Sequence, residues 1–182
     1  MKRIAFTAAC LLLAAPAFAQ TMGEKAKDMS EKAGVNSVVG AAPSTADFVT
    51  EVAVSDMFEI KSSQLATDRS DAPTKAFAAQ MIKDHTKTSD ELKSMVSGGA
   101  VKAVLPPDVD KKHQKMLDKL GAENAADFTK KYHSDQVSAH KTAVSLFERY
   151  AKNGDDPTLK AWAAKTLPAL QQHLQMAKDL DK

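Results

Sequence analysis

The stretch Asp71–Gly99, DAPTKAFAAQMIKDHTKTSDELKSMVSGG, decides the fold class. Asp71 is a good helix cap and Pro73 suits a first helical turn. Phe77, Met81, His85, Leu92 and Met95 then recur at steps of three, four and seven, until Gly98 and Gly99 interrupt the pattern. That is one long amphipathic helix with a single apolar stripe. Upstream, Ser44 and Asp47 form a capping box for a helix running to about Thr67, with Phe48, Val49, Val52 and Ile60 inward. Downstream, the link Val104-Leu105-Pro106-Pro107 leads to a shorter helix from about Asp108 to Leu120, closed by Gly121. A third long helix runs from near Asn124 to Lys152, its inner side marked by Phe128, Tyr132, Ala139, Ala143, Phe147 and Tyr150. The fourth opens with Asp156 and Pro157 and runs to about Leu180 through Leu159, Ala163, Leu167, Leu170, Leu174 and Ala177, with a kink expected at Pro168. Tight links near Arg69 and Asp155 make sequence neighbours antiparallel. The expected architecture is therefore all-α: an antiparallel four-helix bundle over residues 44–182, with an extra short helix between the second and third long ones.

Composition agrees with this reading. Of 182 residues, 43 % are apolar and 26 % charged, which suits one globular domain. Aromatics are only 5 %, with seven Gly and seven Pro, a profile that disfavours β-sandwiches and barrels.

The first 19 residues have the layout of a cleaved signal peptide: Lys2 and Arg3, an apolar run from Ile4 to Ala15, then Ala17-Phe18-Ala19 before Gln20. The apolar run is too short to span a bilayer, and no longer one follows, so the mature chain is expected in the periplasm or cell envelope without a transmembrane segment. Residues 20–43, with scattered Gly23, Gly34 and Gly40, read as a flexible linker. The single cysteine, Cys10, lies inside the leader, which removes disulfides and thiolate metal sites from the mature protein. Loss of Lys2 and Arg3 turns 25 basic and 23 acidic residues into 23 of each. A formally neutral chain without aromatic or glycine-rich platforms is not built for nucleic acid.

Four polar residues fall on the inner stripes, one per long helix: Glu59, His85, His140 and His173. Imidazole and carboxylate suit iron, zinc or copper, and bundle interiors assemble such ligands from facing helices. Asp84 and Gln136 are possible additional oxygen ligands. With a rise of about 1.5 Å per residue, His140 and His173 lie about 4 to 5 Å apart in height around Asp155. Glu59 and His85 differ by roughly 9 Å around Arg69, so a single cluster of all four requires tilted or shifted helices. The residues three before the histidines are Ile82, Val137 and Leu170, so the di-iron Glu-x-x-His pattern is absent. The competing reading makes these histidines core residues bonded across helices to Glu59, Gln136, Thr88 or Thr166. His113 and His133 read as exposed, and the dispersed methionines as core filler. No Ser-His-Asp order or phosphate-cradling glycine loop is present.

The segments 56–66 (DMFEIKSSQLA), 76–93 (AFAAQMIKDHTKTSDELK), 128–163 (FTKKYHSDQVSAHKTAVSLFERYAKNGDDPTLKAWA) and 167–180 (LPALQQHLQMAKDL), in this order, resemble a bacterial family of exported, ferritin-like proteins with a domain of unknown function. The resemblance covers Ala46 to Leu180. It implies a ferritin-like bundle in the periplasm or envelope, with Glu59, Asp84, His85, Gln136, His140 and His173 at the family's motif positions.

Three functional readings follow. The first is an exported, non-catalytic bundle whose inward histidines organise the core, in an envelope or stress-related role. The second is a transition-metal protein using Glu59, His85, His140 and His173 for storage, sensing or redox work. The third is an adaptor that binds another envelope protein through an exposed helical face.

Overall fold

The computed structural model describes residues 40–182; the leader expected over 1–19 and most of the linker expected over 20–43 lie outside them. Five helices and no strand occur among the described residues: α1 (Thr45–Arg69), α2 (Ala72–Ser97), α3 (Lys111–Ala122), α4 (Ala125–Asn153) and α5 (Pro157–Leu180). Each begins where a short polar side chain satisfies a free N–H of its first turn. Ser44 accepts from the Asp47 amide at 3.2 Å and donates to the Asp47 carboxylate at 2.6 Å. Asp71, Asp110, Asn124 and Asp156 cap the other four.

The ends are equally specific. Gly99 follows α2 with φ +75°, a conformation that costs a side-chain-bearing residue far more than glycine. Gly154 lies against Tyr150, whose ring a Cβ there would meet at 2.6 Å. Two boundaries differ from expectation. The short helix starts at Lys111 behind an Asp110 cap, and it runs through Gly121 to Ala122 instead of closing there. Helix α5 continues through Pro168; Ala164 and Pro168 are both exposed, so the carbonyl that loses its partner can face water.

Two apolar clusters set the directions of the helices. One gathers Phe48 and Val49 of early α1, Leu92 of late α2, Phe147 and Tyr150 of late α4, and Trp162 of early α5. Within it Phe48 stacks on Tyr150 at 3.9 Å between centroids, and the Tyr150 hydroxyl bonds to Thr45 at 2.7 Å. The other gathers Ala66 of late α1, Phe77 and Met81 of early α2, Leu120 of α3, Phe128 and Tyr132 of early α4, and Ala177 of late α5. Helices α1 and α2 are thus antiparallel, as are α4 and α5, whereas α2 and α4 run parallel. The connection between α2 and α4 must then travel the length of the molecule. It does so with α3 packed on α1 and α4, and with Lys61 of α1 donating to Asp108 at 2.5 Å.

Between the two apolar ends lies a buried polar layer of Asp56, Glu59, Ser62, His85, Gln136, His140, Thr166 and His173. Five expected inward residues, Ile60, Met95, Ala139, Leu167 and Leu174, are only partly buried, while Phe58 and Trp162 are buried.

Candidate metal centre

The polar layer is built from one register on each helix. On α1, Val49, Val52, Asp56, Glu59, Ser63 and Ala66 succeed one another at alternating steps of three and four, so Asp56 faces inward with the core. Asp56 lies 13 residues before the end of α1 and His85 lies 13 after the start of α2, which puts them at one height. His140 is 13 residues before the end of α4 and His173 is 16 after the start of α5. The three imidazoles therefore meet midway along the molecule.

Their rings form a nearly equilateral triangle, with centroids 5.5, 5.6 and 5.5 Å apart. One ring nitrogen of each histidine lies within 4.8 Å of those offered by the other two. All three are enclosed, with exposures of 2 % for His85, 1 % for His140 and 5 % for His173. Each ring is held from outside by an acceptor. His85 Nδ1–H donates to Asp56 Oδ1 at 2.7 Å, His140 Nδ1–H to the Gln136 carbonyl at 2.9 Å, and His173 Nε2–H to Asp84 Oδ2 at 2.9 Å. In the neutral rings these acceptors fix the tautomer and leave a lone pair on the opposite nitrogen. The opposite nitrogens, His85 Nε2, His140 Nε2 and His173 Nδ1, are buried and have no hydrogen-bond partner.

The outer acceptors are themselves positioned. Thr88 and Ser89 donate to Asp56 Oδ2 at 2.8 and 3.3 Å, and Gln80 donates to Asp84 Oδ2 at 2.6 Å. Burial, reinforced by the charge of His85, pushes His140 down to about 3. Burial and His85 also lower His173, against the pull of Asp84. Burial alone would lower His85 as well, but the hydrogen bond and charge of Asp56 outweigh it and raise it. Neutral His140 and His173 are in the state a metal ion requires of its ligands.

Glu59 lies outside this triangle. Its Oε1 is 3.9 Å from His140 Nδ1, too long for a hydrogen bond, and its Oε2 has no partner. Burial pushes its carboxyl up to about 7, with His85 and Gln136 pulling part of the way back. Asp84 and the backbone of Gln136 hold histidines from behind, and the Gln136 side chain donates to Ser62 at 3.2 Å. The bonds anticipated for core histidines, to Glu59, Thr88 or Thr166, are not made; Thr88 bonds Asp56 instead. His133 is a correction to the sequence reading: it is buried, bonded to Thr74 Oγ1 at 2.8 Å, because the parallel course of α2 and α4 puts their N-terminal halves at the same end of the molecule. His113 is partly covered, with its ring 5.4 Å from that of Phe58.

The profile of the Domain of unknown function (DUF4142) family matches residues 30–180. The chain belongs to the DUF4142 family. No curated protein and no solved structure matches it. The residue that sequence reasoning missed in this DUF4142 domain is Asp56. Its signal was available, since it completes the inner register between Val52 and Glu59.

Three imidazoles, two held neutral and His85 giving up any proton it carries as an ion binds, form a fitting ligand set for a borderline divalent ion. At the usual zinc–nitrogen length of about 2.0–2.1 Å, tetrahedral ligand nitrogens sit about 3.3 Å apart, so the three rings would close by less than about 1 Å each. A carboxylate or carbonyl behind each histidine is the usual outer arrangement of such ligands.

Proposed function

We propose that this DUF4142 protein is an exported, ferritin-like four-helix bundle that binds one transition-metal ion at His85, His140 and His173. One observation carries the metal reading: three enclosed imidazoles converge, each with its outer nitrogen satisfied and its inner nitrogen without a partner. Core histidines retained only for packing would be expected to satisfy both nitrogens, because an unpaired buried polar atom costs about 1–3 kcal/mol. Here that cost would be met three times over in one place, and a bound ion removes it. Three imidazoles without a carboxylate in the triangle favour zinc or copper over iron, and three protein ligands leave a fourth position for water or an added ligand. When bound, such an ion supplies a Lewis acid or, if copper, a redox centre.

The bundle reading rests on four long helices around one buried layer, with a connection that runs the length of the molecule between α2 and α4. Export rests on the leader-like composition of residues 1–19. No helix of the described residues is long and apolar enough to cross a membrane.

Elemental analysis of the untagged protein from an envelope fraction tests the function. One equivalent of metal per chain, lost in His140→Ala, is the expected result. Metal-free protein that also fails to take up zinc or copper on dialysis would return the histidines to a purely structural role.

A further inference from the structure

The three ligand rings are enclosed, so an ion needs a way in, and the three sides of the triangle differ in what lies behind them. Behind His85 stands Asp56, itself buried, and behind His140 stands a backbone carbonyl of its own helix. Behind His173 stands Asp84, whose side chain is 28 % exposed. Asp84 and His173 also line a cleft of about 580 Å³ between early α2 and late α5. Helices α2 and α5 touch far less than α1 and α2 or α4 and α5 do, so this is a loose seam of the helix packing.

The walls of the cleft carry donors of graded character. Asp179 is exposed and already tied to Lys182 at 2.5 Å. Gln80, Met176 and Asp84 are partly buried, and the hydrogen-bond partners of Asp84 are the neutral Gln80 amide and His173. One carboxylate oxygen of Asp84 accepts both bonds, which leaves the other free to meet a cation.

We infer that the α2–α5 cleft is the route by which a hydrated divalent transition-metal ion reaches the three histidines, with Asp84 as its first protein ligand and His173 as the ring that turns to admit it. This rests on the metal reading above. The ion exchanges a water for the Asp84 carboxylate. His173 then gives up its bond to Asp84, rotates, and delivers the ion to the inner nitrogens of His85 and His140. Return of His173 Nε2–H to Asp84 closes the centre behind it. No bond to carbon or change of oxidation state is involved.

Stopped-flow uptake of cobalt(II) by the metal-free full chain, followed by the visible absorption of the bound ion, tests this. Ala76 is exposed on the α2 wall of the cleft. Ala76→Trp should slow uptake by about tenfold or more, because the ion must wait for the obstruction to move. Release should slow in proportion, leaving the equilibrium affinity within about twofold. Ala164→Trp, at an exposed position of α5 outside the cleft, should leave the rate unchanged. Asp84→Asn should also slow uptake by about tenfold and flatten its dependence on ionic strength, which a merely structural role for Asp84 would not do. Uptake by Ala76→Trp at the wild-type rate, or a salt dependence that survives in Asp84→Asn, overturns the route while leaving the metal site standing. Failure of the wild-type chain to bind cobalt at all overturns the metal reading and the route with it.

Discussion

His133 and the three central histidines are all buried on long helices, yet they end differently. His133 bonds Thr74 through Nε2, lies against the Leu180 backbone carbonyl, and contributes no buried unpartnered atom. His85, His140 and His173 each satisfy one nitrogen and leave the other bare, and the three rings converge. Burial lowers the basicity of His133 in the same direction as that of His140 and His173, so the direction of the shift does not separate the two cases. The arrangement of partners does: His133 closes its bonds within the fold, while each central histidine keeps one nitrogen open, as the proposed metal centre requires.

The largest expected effect comes from removing one of the open rings. His140→Ala should weaken zinc binding by more than the roughly 100-fold that loss of an outer partner can cost, whereas His133→Ala should leave zinc affinity unchanged. Parallel calorimetric titrations compare them, and equal losses in the two variants would erase the distinction.

Next in size is a pH effect at Glu59. Its carboxyl is raised from an ordinary 4.5 to about 7, so between those values the folded chain holds a proton that the unfolded chain has lost. Its contribution to stability is therefore intact below about pH 4.5 and declines as the pH rises to about 7. Glu59→Gln should make the metal-free protein roughly 3 kcal/mol more stable than wild type at pH 8, and equally stable at pH 4, by urea unfolding. A variant less stable at pH 8 would mean that the ionised carboxylate is held by a partner in the folded state.

Asp56→Asn should lower zinc affinity by about 10- to 100-fold, since it removes the charge that orients His85 and raises its basicity as a ligand. An unchanged affinity would strip Asp56 of that role. The smallest effect belongs to the satisfied histidine. Thr74→Val leaves His133 Nε2 without its hydroxyl partner, and should cost about 1–2 kcal/mol in thermal or urea unfolding with no change in metal affinity.

Much of the fold is legible in local chemistry. Ser44, Asp71, Asn124 and Asp156 stand at the ends of apolar stripes and cap helices where their short side chains reach a free N–H. Asp110 was harder to recognise, because Asp108, two residues earlier, offers the same chemistry on the same side of the proline pair. The meeting of His140 and His173 could be reckoned from the tight α4–α5 turn, since a hairpin fixes relative height. The place of His85 could not be reckoned from Glu59. Measured from the helix ends, Glu59 lies three residues closer to the α1–α2 turn than the level of His85, and Asp56 occupies that level. His133 was unreadable for a different reason: Thr74 is 59 residues away, and the two helices are seen to be parallel only once the path of the α2–α4 connection is known.

Anomalous X-ray diffraction at the zinc edge, from crystals of the full chain grown with zinc, tests the metal centre most directly. The account predicts a single strong peak inside the triangle, about 2.0–2.1 Å from His85 Nε2, His140 Nε2 and His173 Nδ1. An empty triangle, with zinc only at surface carboxylates or at His113, would contradict it.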